Sequence, residues 1–106
     1  MSAIDIEQLG SDIVSAIKGE VDDKWPEIKD FAETQGKILA QAAADLAELR
    51  AQGKIGDAEL KLHLDLQKQA AKQVLLAVEG MGILMVEAAL NAAIKVINAA
   101  IEAAIG

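Results

Sequence analysis

The chain has 106 residues, a formal net charge of −7 from 17 acidic and 10 basic side chains, no cysteine, and a composition that is 53% hydrophobic yet only 2% aromatic. That length fits one domain over 1–106; the acidity and the scarcity of aromatics leave neither a basic face nor a stacking platform for nucleic acid, and disulfides are excluded. The apolar content is Ala, Ile, Leu and Val, with one proline and no alternating β-branched run bounded by turn residues, which specifies an all-α chain.

The first predicted helix covers residues 3–18. Ile6, Leu9, Ile13, Ala16 and Ile17 gather on one side with Val14 at the edge, and Asp5, Gln8, Ser11, Asp12, Ser15 and Lys18 cover the other. Ser2 is placed to cap it and Gly19 to end it. The MSAIDIEQ start has neither a basic region nor an uninterrupted apolar core, so no secretory signal is expected. The cytoplasm is the default location, with a virion or membrane surface as alternatives.

After an acidic linker, Glu20–Lys24, a second helix is expected over 26–52, with Pro26 in its first turn where a missing N–H costs little. Its inward positions are Trp25, Ile28, Phe31 or Ala32, Gln35, Leu39, Ala42, Leu46 and Leu49. Gly36 lies inside it and has two readings: a weak spot costing about 1 kcal/mol relative to Ala, or a point where a neighbouring backbone comes close. AQGKIGDAEL is the clearest turn, with Gly53 ending one helix and Asp57 capping the next.

A third helix is expected over 57–105. Leu60, Leu64, Gln67, Ala71, Val74, Val78, Met81 and Met85 follow alternating steps of four and three, the seam of a coiled coil. Beyond it Ile83, Val86, Leu90, Ile94, Ile97, Ile101 and Ile105 follow an eleven-residue repeat. The packing partner therefore changes near Gly80 and Gly82, which are the candidate hinge. If the two halves of the chain pair antiparallel about the Gly53 turn, the Trp25-Pro26 break sits opposite these glycines. The favoured architecture is a long, coiled-coil-like antiparallel helical hairpin, with the first two helices packed along a third of about 70 Å. A compact four-helix bundle, with the third helix bent at the glycines, is the alternative.

In the last stretch Glu87, Asn91, Lys95, Asn98 and Glu102 occupy an arc of only roughly 80°. The remaining arc is apolar and much wider than one neighbour covers. On an extended hairpin that excess calls for a second copy of the chain. The expected interface is Ile83, Val86, Leu90, Ala93, Ile94, Ile97, Ala100, Ile101 and Ile105. The polar stripe is then a solvated ridge or, alternatively, the lining of a polar channel.

Chemistry is hard to build from this sequence. The single histidine, His63, has Glu59 one turn before it in a Glu-x-x-x-His spacing that is not the Glu-x-x-His of di-iron bundles. Three converging ligands or a nucleophile–base pair are not evident. No enzyme activity, metal, cofactor or small-molecule ligand is expected. The leading expectation is a self-associating structural or assembly protein, a homo-oligomer. The alternative is a membrane-active or lipid-associated protein that presents residues 80–106 to lipid; Glu87, Lys95 and Glu102 would each cost about 2.5–3.5 kcal/mol at the centre of a bilayer, which makes a simple span a poor fit.

Overall fold

A computed structural model describes residues 4–105. Ser2, the expected first cap, and Ala3, the expected first helical residue, lie outside them. Among the described residues there is no strand. The chain forms helices α1 (Ile6–Val21), α2 (Trp25–Ala51), α3 (Asp57–Leu76) and α4 (Ile83–Ile105), with a 3₁₀ turn over Asp22–Lys24.

Asp5 caps α1, its side chain accepting from the backbone N–H of Gln8 at 3.1 Å. The helix runs through Gly19 instead of stopping there, because Val21 in its last turn is buried in the core and holds that turn against its neighbours. It ends where Asp22 turns out of the helical region at φ 47°. Lys18 then lies over the Trp25 ring, 5.6 Å from its centroid, bracing the end of α1 against the start of α2. At the next turn Gly53 takes a left-handed φ of 72°, as a terminating glycine should. Asp57 is not the cap of α3 but its first residue. Gly56 holds the cap position, and Asp57 instead accepts from Arg50 Nε at 2.8 Å across the turn.

The helix expected over 57–105 is interrupted. α3 ends at Leu76 and α4 begins at Ile83, and Gly80 between them has φ 86°. The break falls at the expected glycines, opposite the α1–α2 corner: Lys24 Nζ is 3.4 Å from where a Cβ on Gly80 would stand. The principal extents are 42 × 23 × 17 Å, so no 70 Å rod is present. Magnitudes explain the outcome. Carrying one helix through Gly80 and Gly82 would cost about 2 kcal/mol relative to alanine, so the helix is weakest where it breaks. Folding back buries Val86, Leu90, Ile97 and Ile101, each at 3% exposure or less, and each such side chain contributes about 1.5–3 kcal/mol. Both effects favour the break.

The helices pack as neighbours α1–α2, α2–α3, α3–α4 and α4–α1, with α2 also touching α4. The core is continuous. It takes Leu9, Ile13 and Ile17 from α1, Ile28, Ala32 and Leu39 from α2, Leu64, Ala71 and Leu75 from α3, and the inner face of α4. Of the alternatives on α2, Ala32 is inside while Phe31 is 45% exposed. Leu75, outside the expected heptad, is fully buried, whereas Leu60, Val74 and Val78 on that heptad are only partly buried. A seam between two helices cannot describe a helix with two neighbours.

At the α1–α2 crossing Gly36 is buried, and a Cβ there would stand 2.9 Å from Val14 Cγ2 and 3.3 Å from the Gly10 carbonyl oxygen. Close approach, not tolerance, is the reason for this glycine.

Candidate functional site

The apolar stretch that singled itself out in the sequence is α4, and the fold divides its faces. Val86, Leu90, Ala93, Ile97 and Ile101, all expected at an interface between copies, are buried in the single chain's own core. Ala100 and Ile94 are partly buried against that core. Ile83 and Ile105 are 55% and 38% exposed. The expectation for the first five is corrected by topology: α1, α2 and α3 all contact α4, so most of the apolar arc assigned to a second copy is covered within one chain.

What remains outside has an order of its own. Ile83, Ile94 and Ile105 are eleven residues apart, and three turns of helix return to nearly the same direction after eleven residues. They therefore lie along one line of α4. Midway, Ile94 and Asn98 face Leu62 and Lys68 of α3 across an open groove of 480 Å³. Leu62 and, one turn on, Leu66 are 58% and 56% exposed. Neither leucine belongs to the heptad seam; their i, i+4 spacing off that seam is the signal by which the sequence marks them. At the head of α4, Leu84 is the most exposed of the large apolar side chains, at 82%.

Two polar contacts tie the same seam. Lys72 Nζ donates to Glu87 Oε1 at 2.6 Å, and Lys68 Nζ donates to Asn91 Oδ1 at 2.8 Å. The pairing order shows that α3 and α4 run in opposite directions. Thus the first two members of the stripe are held by α3, while Lys95, Asn98 and Glu102 are exposed. In the single chain the stripe is a ridge. Lys68 and Lys72 were not apparent from the sequence, because cross-helix partners depend on where the chain folds back.

The Lys72 ammonium, by hydrogen bond and then by charge, holds the Glu87 carboxyl below the ordinary carboxylate range, with Lys68 adding a smaller pull in the same direction and burial opposing it weakly. A carboxyl whose folded pKa is depressed contributes stability above its unfolded pKa and loses it as pH falls through the folded value. The urea midpoint of the wild-type protein is therefore expected to fall more steeply below about pH 4.3 than that of Lys72→Met. Glu87 is 45% exposed, so the difference is small. Equal slopes would show that the pair does not form in solution.

His63 is exposed on α3. Among the described residues, no group of three or more His, Cys, Asp and Glu side chains is placed to hold a metal ion. A second open groove, of 650 Å³, runs between α1 and α2, with Gly10, Val14, Ser11 and Ser15 on one wall and Glu33, Lys37 and Gln41 on the other. Comparison with protein families, curated proteins and solved structures finds no match to this chain.

Proposed function

We propose that this protein is a non-enzymatic structural or assembly component whose copies associate through the outer side of α4 and the α3–α4 seam. In this reading the four helices form a compact up-and-down bundle, and the bundle is the unit of assembly. One observation carries it. The expected interface isoleucines that the fold leaves exposed or only partly buried, Ile83, Ile94 and Ile105, share one line of α4, and Leu62 lies across the groove from its middle member. A row of large apolar side chains along one seam gives a second molecule something to bury, which singly scattered ones do not. Lysines and carboxylates bordering the row limit how much is buried, as expected of a rim. The interface is therefore smaller than one using the whole apolar face of α4.

Sedimentation equilibrium on the purified chain tests this directly. Associated species are expected at micromolar concentration, and Leu62→Asp is expected to weaken association at least about tenfold with helix content unchanged. The mass of a single chain across the whole concentration range would sink the proposal.

A second reading has one observation in its favour. α4 is long and apolar enough to cross a bilayer by length and composition, and only 28% of its most apolar window is buried within the fold. A bundle that opens at the Gly80 corner would present that helix to lipid. Liposome flotation separates the two readings: binding that rises with opening favours lipid, and none at any composition or pH removes it.

A further inference from the structure

Along the stripe of α4, Glu87 and Asn91 have their partners in Lys72 and Lys68. Lys95 and Glu102 continue the same stripe, are exposed, and form no ion pair among the described residues. Seven residues separate them, roughly two turns or 10 Å, so they share a line of the helix but are too far apart to satisfy each other. The side chains around them are small: Ala99 and Ala103 are exposed and would let another helix come close.

Resting on the self-association proposed above, we infer its geometry: a second copy docks antiparallel on the C-terminal half of α4, about a two-fold axis at Asn98–Ala99. Lys95 of each copy then meets Glu102 of the partner subunit, so both unpaired charges are satisfied twice over by one symmetry operation. In the same register Ile94 and Ile105 of both copies lie together on one flank of the contact and Ala99 and Ala103 on the other, while Ile83 reaches beyond the end of the partner's α4. Other registers are worse. A parallel pair sets Lys95 against Lys95 and Glu102 against Glu102. Full antiparallel overlap, centred at Ile94–Lys95, sets Glu87 against Glu102. A pair centred on Asn91 would bring Lys95 to Glu87, which Lys72 already holds.

Charge reversal reads this register. Lys95→Glu and Glu102→Lys, each on an exposed position, are expected to raise the dimer dissociation constant at least about tenfold, since each turns two attractive contacts into repulsive ones. The double reversal restores the pattern and is expected to fall within about threefold of wild type. The absence of cysteine allows a second measurement. Asn98→Cys is expected to cross-link copies on mild oxidation, while Leu84→Cys, whose facing position lies beyond the partner's α4, is not. A wild-type protein that sediments as single chains overturns the assembly itself. A wild-type dimer indifferent to Lys95→Glu, or one cross-linked through Leu84→Cys and not Asn98→Cys, overturns this register and leaves the assembly standing.

Discussion

Gly36→Ala is expected to destabilise the fold by about 1–3 kcal/mol, although the same change on a bare helix would gain about 1 kcal/mol. The added methyl would stand 2.9 Å from Val14 Cγ2 and 3.3 Å from the Gly10 carbonyl oxygen. Val14 is branched at the β-carbon and has few rotamers into which to retreat. Gly10 presents backbone, which moves only if α1 moves. The two helices must separate, and the Ala40, Ala43 and Ala47 side chains, all buried at 4% exposure or less, lose contact along that face. Gly19→Ala is the matched control. It also lies inside a helix, but nothing stands within 4 Å of its added Cβ, and a stabilisation of up to about 1 kcal/mol is expected. Urea denaturation of the pair checks both signs. Stabilisation by both substitutions would mean that α1 and α2 do not cross closely at Gly36.

Ala93→Glu is expected to unfold the protein, not merely to dissociate its copies. On an extended hairpin Ala93 belongs to a surface for another molecule, and a glutamate there would separate copies while leaving each one folded. In the folded chain Ala93 is fully buried, among Val86, Leu90 and Ile97 on the inner face of α4. A carboxylate there has no partner, and an unpaired buried charge costs several kcal/mol even after its pKa shifts to neutralise it. That is a large part of the roughly 5–15 kcal/mol that holds a domain folded. The larger side chain adds overpacking in a layer built on alanine. Asp12→Ala, which removes only an exposed hydrogen bond from Gln8 Nε2 at 2.9 Å, is expected to stay within about 0.5 kcal/mol of wild type. Circular dichroism and concentration-dependent sedimentation together distinguish the outcomes. A folded, monomeric Ala93→Glu protein would show that α4 faces outward and that the single-chain core is misassigned.

Local patterns foretold much of the architecture. The apolar spacing of Leu9, Ile13 and Ile17 located the inner face of α1, Pro26 marked the start of α2, and Gly53 marked its end. These are effects of nearest neighbours along the chain: periodicity, a missing N–H, a left-handed turn. Their physical causes lie within a few residues, so a single strand of sequence contains them. The same holds for the Gly80–Gly82 weakness, although not for its consequence. Whether a helix crosses two glycines depends on what the far side gains by turning back, and that gain is a property of three other helices.

The candidate site divides in the same way. The apolar excess of residues 83–105 and their narrow polar stripe follow from composition and helical geometry alone. Which side chains of that face remain outside does not. Val86 and Ile83 look alike in the repeat, yet one is fully buried and the other is 55% exposed. Leu62 has no role in the heptad and becomes part of the seam only because α4 lies alongside α3. Lys72 reaches Glu87 across the turn, a contact that no spacing rule along one helix anticipates.

By itself, then, the sequence determined that this chain is helical, acidic and free of disulfides, where its helices turn, and that its last helix needs more than one neighbour. Only the tertiary structure decided who those neighbours are. Helix formation is governed by contacts three and four residues apart, which a pattern records. The choice between folding α4 back and leaving it extended depends on burial summed over helices far apart in the chain, which becomes countable only when they are brought together.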